Sequence, residues 1–358
     1  MKNKLQNLRS RIDTIDERLV RLLNERTKHV LEIGAIKQTA GEEIYAPERE
    51  EAVLRRVTGK SVGPLTNDSL RAIYREIMSS ALALEKPLVI AYLGPEATYS
   101  HMASVKKFGS SLRYIPMPNI ADVFIEVAKG RADYGVVPIE NSTEGAVTHT
   151  YDMFINSELK VCAQTMLRIR HNLMSAGRRD QIKKLYSIPQ VFAQCRQWLH
   201  TNMPHAELVE VSSSSRAAQI AKDNPTAGAL ASELAAKIYG LTIHDSHIQD
   251  SSENVTRFLI IGRKSPPRTG NDRTSIMFSV QDRVGALHDC IASFKKFKIN
   301  MTKIESRPNR QKAWEYYFFV DHGSRGYDYW TIVAKRSDLA LQLSPRCRRI
   351  DLSQSDHC

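Results

Sequence analysis

The chain has 358 residues, of which 42% are hydrophobic and 25% are charged, an ordinary globular balance with room for two or three domains. It has no run of about 18 apolar residues and no apolar signal-peptide core near its start, so neither a membrane span nor secretion is expected. The net charge of +12 is spread along the chain, which argues against nucleic acid as a partner and favours a small anionic substrate. Five scattered cysteines without a CxxC pair indicate neither a disulfide framework nor a zinc site, so a reducing cytoplasm is the expected location.

The first block of the chain, residues 1–87, has the pattern of an all-helical domain. Over residues 4–38 apolar residues recur at alternating spacings of three and four, a period of 3.5 that predicts one long helix with an apolar stripe. The stripe consists of Leu5, Leu8, Ile12, Ile15, Leu19 and Leu22. Such a helix cannot bury its stripe against itself, so partner helices are expected later in the chain or on a second subunit. Further helices are predicted from about Pro47, which suits a first-turn position, and over residues 66–84.

The second block, residues 88–264, alternates between short apolar runs and helical segments, the pattern of an α/β domain. Its length suits two lobes with a cleft between them. The predicted strands cover residues 88–93, 134–139, 227–231 and 258–261, and residues 217–222 are predicted to be helical. After a linker rich in Pro, Gly and charge, residues 272–322 are predicted to form a small α+β module. Its elements are a strand over 274–280, a helix over 285–297 and a strand over 314–320.

Basic residues interrupt the apolar faces of the first helix at Arg9, Arg26 and Lys37. Arg26 and Lys37 are eleven residues apart, close to three full turns, so both point the same way, whereas Arg9 lies about 100° around from Arg26. Each residue alone is better explained as a solvated surface charge. As a set, with charged residues of the next helices, they could hold a dianion inside a helical bundle, where unpaired charge is costly.

Several segments of this block resemble the all-helical chorismate mutase family over nearly all of residues 5–86. They are Leu8-Arg9, residues 22–26, residues 33–37 and residues 47–50. The resemblance implies an intertwined homodimer in which one arginine comes from the second subunit, in agreement with the angular position of Arg9. It also implies the rearrangement of chorismate to prephenate without metal or cofactor, because the enzyme only holds the folded substrate and stabilises charge growing on the ether oxygen. The implied chorismate-binding residues are Arg9, Arg26, Lys37, Arg49, Glu50, Ala81 and Glu85.

By this resemblance Arg9 and Arg26 hold the two carboxylates, and Lys37 and Glu85 contact the ether oxygen as catalytic residues. Glu50 binds the ring hydroxyl, Arg49 supports the site and Ala81 offers a backbone contact. Some members of the family have Gln where this chain has Glu85. A carboxyl group donates a hydrogen bond only when protonated, so we predict a raised pKa for Glu85 and mutase activity that falls at alkaline pH.

Four segments of the α/β block place polar residues beside predicted strands: residues 94–101, 135–142, 186–195 and 254–258. Any one of them is explained by ordinary capping with Ser, Thr or Asn. Together and in this order they resemble the prephenate dehydratase family over residues 88–263. The resemblance implies two α/β lobes that bind prephenate in their cleft and convert it to phenylpyruvate, carbon dioxide and water.

The catalytic residue implied for this second reaction is Thr256, which would donate or relay the proton that the leaving hydroxide requires. The implied prephenate-binding residues are Glu140, Asn141, Ser187, Gln194, Thr256, Arg257 and Phe258. Ile188 stands where the family commonly has a histidine. Residues 212–215 have two equally favoured interpretations, a helix N-terminus that binds a carboxylate and a flexible serine turn.

Residues 282–288 and 300–308 resemble the ACT regulatory domain of these enzymes, whereas a plain β-turn-helix and a Pro-terminated loop are the alternative. The resemblance implies a phenylalanine site at a dimer interface and feedback inhibition by phenylalanine. The implied phenylalanine-site residues are Gly285, Ala286, Leu287, Asn300, Glu305, Ser306, Arg307 and Pro308. The resemblance stops at about Gly323, so residues 323–358 are predicted to be a divergent tail.

Two non-enzymatic interpretations stay open. One is a two-lobed small-molecule binding protein with a helical dimerisation segment, against which the missing signal peptide and Thr256 argue. The other is a regulatory protein with a coiled coil and an ACT-like sensor, which would not need the cations of the first block. A metal site is not predicted, because His244 and His247 lack a third ligand.

Overall fold

The computed structural model of the protein describes residues 2–41, 44–267, 273–280, 283–309 and 315–323. These residues fall into two compact units, one formed by those in 1–89 and 107–113 and the other by those in 90–106 and 114–358. In this part of the chain, no helix combines the length and apolar character that spanning a membrane requires. The predicted divergent tail lies outside the described residues from position 324 onward.

The three helices predicted for the first block are confirmed. They are α1 (Lys2–Thr39), α2 (Pro47–Lys60) and α3 (Asn67–Glu85). Pro47 occupies the first turn of α2, and the Thr66 side chain caps α3 by accepting a hydrogen bond from the backbone N–H of Ser69. The six residues of the apolar stripe on α1 are 46–58% exposed in the single chain. The stripe is therefore available to a second subunit.

The rest of the chain alternates between helices and strands, as the sequence predicted. The helices are α4 (Tyr99–Phe108), α5 (Ile120–Ala128), α6 (Thr148–Ile155), α7 (Pro189–Gln194), α8 (Arg196–Asn202), α9 (Ser214–Asp223), α10 (Glu233–Tyr239) and α11 (Ala286–Lys296). The strands are β1 (Val89–Leu93), β2 (Arg113–Met117), β3 (Tyr134–Asn141), β4 (Gly145–Ala146), β5 (Lys160–Arg168), β6 (Asn172–Ser175), β7 (Lys184–Ser187), β8 (Glu207–Glu210), β9 (Ala227–Ala231), β10 (Thr242–Asp245), β11 (Val255–Gly262), β12 (Arg273–Ser279), β13 (Asn300–Pro308) and β14 (Tyr316–Gly323).

Two mixed sheets form the α/β part. One has the order β2-β1-β3-β11-β5, with β4 paired to β3, and the other has the order β10-β6-β9-β7-β8. Strands β3 and β9 are almost continuously buried, which explains why their sequences read as apolar runs rather than alternating patterns. Strand β11 lies between β3 and β5 and is antiparallel to both. Its N-terminal end carries the polar residues that the sequence singled out.

The third sheet has the order β12-β14-β13 and packs with α11 around Phe278, Phe294 and Val320. We call it the regulatory sheet after the resemblance of its segments to a regulatory domain. Residues 300–308, for which a loop was the alternative, form strand β13 and pair with β14. The start of the strand predicted over 314–320 lies outside the described residues, and β14 begins at Tyr316.

Candidate functional sites

The first candidate site lies in the helical unit, where Glu85 at the end of α3 packs against Gly34 of α1. A Cβ atom added at Gly34 would lie only 2.6 Å from Cδ of Glu85 and closer still to Cγ, so the contact requires glycine. Burial raises the pKa of Glu85, and the smaller effect of nearby Lys37 opposes it. Oε1 of Glu85 is buried without a hydrogen-bond partner among the described residues. The direction of the pKa shift is the one expected from the sequence.

Arg26, like Glu48 and Glu85, has a buried side-chain atom without a hydrogen-bond partner among the described residues. In Arg26 this atom is Nη1. Burial lowers the pKa of Arg26; attraction by Tyr74 opposes this, whereas repulsion by Arg49 and Arg56 adds to it. A half-buried cation near other cations is costly, so an anionic ligand would stabilise this arrangement. Lys37, on the same helix, donates a hydrogen bond to the backbone oxygen of Ile44 at 3.1 Å.

The other residues implied in chorismate binding lie at different positions in the helical unit. Glu50 Oε2 accepts hydrogen bonds from the Tyr45 hydroxyl and from Lys107 Nζ, both at 2.9 Å. Ala81 is buried on α3. Arg9 is exposed on α1, and its separation of seventeen positions from Arg26 corresponds to about 25 Å along the helix. A single chain therefore does not bring Arg9 to the other residues.

The second candidate site begins with Asn141 on β3 and Thr256 on β11, which are register partners. The amide nitrogen of Asn141 donates to Thr256 Oγ1 and to Asn254 Oδ1, both at 2.7 Å. Its amide oxygen accepts from the backbone N–H groups of Thr143 and Glu144 at 2.9 Å, which fixes the orientation of the amide. No described residue accepts the hydrogen of the Thr256 hydroxyl, so that hydrogen can be donated to a ligand.

Gln194, at the end of α7, extends the same network. Its Oε1 accepts from Asn254 Nδ2 at 3.0 Å and lies 2.8 Å from Nε2 of His171, while its Nε2 donates to Glu144 at 3.1 Å. Burial lowers the pKa of His171, and the smaller effect of the Gln194 hydrogen bond opposes it. The imidazole is therefore neutral near pH 7. Because the amide oxygen of Gln194 can only accept a hydrogen bond, the imidazole hydrogen of His171 lies on Nε2. Nδ1 of His171 then faces the Tyr99 hydroxyl at 2.8 Å.

These residues define what we call the polar cluster: Tyr99, Asn141, Glu144, His171, Gln194, Asn254 and Thr256. The sequence had assigned a role in the site to only three of them. The hydroxyl of Tyr99 also lies within hydrogen-bonding distance of the backbone oxygen of Arg170, at 2.8 Å. His171 carries no sequence signal, since it stands alone and its partner Tyr99 is 72 residues away along the chain.

The remaining residues implied in prephenate binding lie elsewhere. Ser187 is fully buried and donates its hydroxyl hydrogen to the backbone oxygen of Leu230 at 2.8 Å. Glu140 and Arg257 are register partners; Glu140 precedes Asn141 and Arg257 follows Thr256. Because successive residues of a strand face opposite sides, both point to the opposite face of the sheet. Phe258 is buried in the core. The structure does not bring these four side chains into the polar cluster.

The serine segment before Arg216 is the N-terminus of α9. The Ser213 side chain caps the helix by accepting from the backbone N–H of Arg216 at 3.0 Å, and Ser215 donates to the backbone oxygen of Glu96. The segment is therefore a capped helix N-terminus and not a flexible serine turn, and its binding of a carboxylate stays a prediction. Among the described residues, no group of three or more His, Cys, Asp or Glu side chains is arranged to hold a metal ion.

The residues implied in phenylalanine binding lie on the regulatory sheet and α11. Gly285 has a left-handed φ of 79° at the start of α11, a conformation that favours glycine. Ala286 is buried, and Leu287 packs against the small core. On β13 exposure alternates, so that Asn300, Ser306 and Pro308 are exposed while Glu305 and Arg307 are half-buried. Arg307 is not open to a ligand in this arrangement, because its guanidinium pairs with Asp152 of α6 at 2.9 and 3.2 Å.

Comparisons with known proteins match both the helical and the α/β part of the chain. A family model for prephenate dehydratase matches residues 90–266, and one for chorismate mutase type II matches residues 8–86. The chain is 47% identical over 323 residues to the bifunctional chorismate mutase/prephenate dehydratase of Aquifex aeolicus, with 89% of each chain covered. It is 44% identical over 326 residues to the enzyme of the same description from Pseudomonas aeruginosa, again with 89% of each covered.

A solved structure gives the same picture for the α/β part. The prephenate dehydratase of Arthrobacter aurescens in complex with L-phenylalanine matches with a TM-score of 0.60 and 30% identity, covering 66% of this chain and 81% of that one. These similarities do not favour the interpretation as a non-catalytic binding protein.

Proposed function

This chain belongs to the bifunctional chorismate mutase/prephenate dehydratase family, and we propose that its two reactions take place at the two candidate sites described above. The enzyme rearranges chorismate to prephenate and converts prephenate to phenylpyruvate, carbon dioxide and water in phenylalanine biosynthesis. The mutase site is the group around Arg26, Lys37 and Glu85, and the dehydratase site is the polar cluster around Thr256.

In the mutase reaction, Arg26 holds a substrate carboxylate with the Nη1 atom that lacks a partner among the described residues. Lys37 and the protonated carboxyl of Glu85 donate hydrogen bonds to the ether oxygen, on which negative charge grows in the transition state. Because burial raises the pKa of Glu85, its neutral, hydrogen-bond-donating form persists to higher pH than in an exposed carboxyl group. Arg49 supports the carboxylate contacts, Glu50 accepts from the ring hydroxyl through its second oxygen, and the Ala81 backbone completes the site.

The mutase site is completed by a second copy of the chain, which supplies Arg9. Two observations support a homodimer: the exposed apolar stripe on α1 and the distance of about 25 Å along the helix between Arg9 and Arg26. Burying the stripe against a second α1 would remove apolar side chains from water. The same association would bring Arg9 of one subunit to Arg26 of the other.

In the dehydratase reaction, Thr256 donates or relays the proton that the leaving hydroxide of prephenate needs, while carbon dioxide departs and the ring becomes aromatic. The observation that carries this assignment is the hydrogen bond from Asn141 to Thr256 Oγ1, which turns the hydroxyl hydrogen toward a ligand. Gln194 and Asn141 position substrate oxygens. Glu140, Ser187, Arg257 and Phe258 support the site from outside the polar cluster.

Phenylalanine inhibits the enzyme by binding at the regulatory sheet, which we assign to the ACT type. The supporting observations are the relative solved with L-phenylalanine bound and the exposed residues of β13. Because Arg307 pairs with Asp152, phenylalanine binding acts through the other residues implied for this site or breaks that ion pair.

A two-stage assay on the purified chain tests the two assignments. Chorismate is added, and both prephenate and phenylpyruvate are followed over time, the latter by its absorbance in alkali. Thr256→Ala should consume chorismate at the wild-type rate and accumulate prephenate, whereas Thr256→Ser should retain phenylpyruvate formation because it keeps the hydroxyl group. If Thr256→Ala forms phenylpyruvate at the wild-type rate, Thr256 has no part in the mechanism. If Arg26→Ala consumes chorismate at the wild-type rate, the assignment of the mutase site is wrong.

A further inference from the structure

Strand β11 presents two neighbouring side chains to two different partners. Thr256 faces the polar cluster, and the next residue, Arg257, faces the regulatory sheet. Arg257 is only 4% exposed, and its Nη1 donates to Asp321 of β14 while its Nε donates to Gln164 at 2.8 Å. Glu140 lies 3.8 Å from the same guanidinium. A catalytic strand is thus anchored to the regulatory sheet at the residue adjacent to Thr256.

Asp321 is itself held in place from its own sheet. Its Oδ1 accepts from the Ser275 hydroxyl of β12, and its backbone oxygen accepts from the Thr302 hydroxyl of β13 at 3.2 Å. The carboxylate is buried together with its partner. A buried ion pair with its remaining oxygens satisfied has a narrow range of geometries, and removing either charge leaves the other unpaired.

At this point the backbone of β11 is held by its regular ladder with β5 and by the Arg257 anchor, because its ladder with β3 is irregular there. The register between β11 and β3 shifts between Arg257 and Phe258, one residue after Thr256. Such a bulge interrupts regular pairing and re-aims nearby side chains. The position of the Thr256 hydroxyl therefore depends on where Arg257 is held.

We propose that Asp321 is a positioning residue for the dehydratase reaction, acting through Arg257 on the strand that carries Thr256. The regulatory sheet then supports catalysis before any phenylalanine binds, and the inference rests on the proposed role of Thr256. Further contacts of the regulatory sheet reach other elements: Lys303 pairs with Glu140 of β3 at 2.9 Å, Arg307 pairs with Asp152 of α6, and the ring of Phe319 packs 4.8 Å from that of Tyr151.

The test compares Asp321→Asn with Asp152→Asn. The second variant removes the ion pair between Asp152 of α6 and Arg307, which also belongs to the regulatory sheet. Both are assayed in the full-length chain on prephenate, and thermal unfolding of the same sample reports on whether the α/β part is folded. We expect Asp321→Asn to lower kcat for dehydration roughly 10- to 100-fold with little change in KM, because a small displacement of a reacting group lowers the rate without weakening substrate binding. Asp152→Asn should keep the wild-type kcat, and Asp321→Glu should recover part of the loss.

Ser275→Ala provides a milder variant, since it loosens the Asp321 carboxylate without removing its charge, and it should lower kcat by a smaller factor. Wild-type kcat in both Asp321→Asn and Ser275→Ala would overturn the inference, as would an equal loss in Asp152→Asn. Should Asp321→Asn fail to fold, the comparison of Ser275→Ala with Asp152→Asn decides the question. Failure of the proposed function is recognised separately, because Thr256→Ala would then keep its dehydratase activity.

Discussion

Replacing Gly34 with alanine should disable the mutase without unfolding the protein. The added Cβ would lie 2.6 Å from Cδ of Glu85 and closer to its Cγ, a distance that real Cβ atoms essentially never show. The side chain of Glu85 must therefore move, and the hydrogen-bond donor that we assign to the ether oxygen moves with it.

Two opposing effects set the change in the free energy of unfolding. Overpacking at a buried contact costs about 1–3 kcal/mol, whereas replacing glycine by alanine inside a helix contributes about 1 kcal/mol in the opposite direction. The net destabilisation should stay below about 2 kcal/mol. Removing one preorganised donor from a transition state typically lowers kcat by about 10²- to 10³-fold, so a roughly 100-fold loss of mutase kcat is expected.

The assay measures chorismate consumption, with thermal unfolding and dehydratase activity on prephenate measured on the same samples. Gly59→Ala is the matched control, because Gly59 lies in α2 and a Cβ there would meet no atom within 4 Å. That variant should keep full mutase activity. If Gly34→Ala also keeps it, or if it reduces both activities equally, the position of Glu85 does not control the rearrangement.

Three further predictions concern the same two sites. Because burial raises the pKa of Glu85 above 4.5, its neutral donor form should persist to higher pH in the folded enzyme, and its contribution to stability is present below 4.5 and lost as the pH rises through the raised value. Mutase kcat should fall over that same rise in pH, and Glu85→Gln should flatten the profile; identical profiles for both proteins would contradict this. His171→Leu should remove one hydrogen bond each from Oε1 of Gln194 and from the Tyr99 hydroxyl, which keep their contacts with Asn254 and with the backbone oxygen of Arg170. The two lost bonds should cost about 1–3 kcal/mol in total, and KM for prephenate should rise while mutase activity stays unchanged. Finally, Arg9→Ala and Arg26→Ala should each be inactive as mutases, but unfolding and refolding them together should restore activity through mixed dimers; no recovery would argue against a shared site.

Local periodicity predicted the elements of the fold well. The period of 3.5 over residues 4–38 predicted α1, the first-turn proline predicted the start of α2, and the apolar run at 227–231 coincides with β9. These predictions succeed because a helix or a buried strand leaves its own spacing in the sequence. Strand β13 was not predicted, because residues 300–308 were interpreted only through their resemblance to the ACT domain.

The candidate sites were less predictable because distant residues assemble them. Asn141, Gln194 and Thr256 were found through resemblance to a family, and no spacing within this chain links them. His171 joins Gln194 across 23 residues and has no local signal of its own. The orientation of Arg257, in contrast, could have been predicted, because successive residues of a strand face opposite sides and Thr256 already faces the cluster.

The residues that belong to the first compact unit determine where such a fused enzyme can be cut. Residues 107–113 belong to that unit although they lie within the segment that matches prephenate dehydratase, residues 90–266. There Lys107 contacts Glu50, the ring of Phe108 packs 5.2 Å from that of Tyr45, and Ser110 donates two hydrogen bonds to Glu76. Excising the mutase as a fragment that ends at residue 89 would strip it of all these contacts. The two enzymes are consecutive in the gene, yet a single cut between them does not yield the complete first unit.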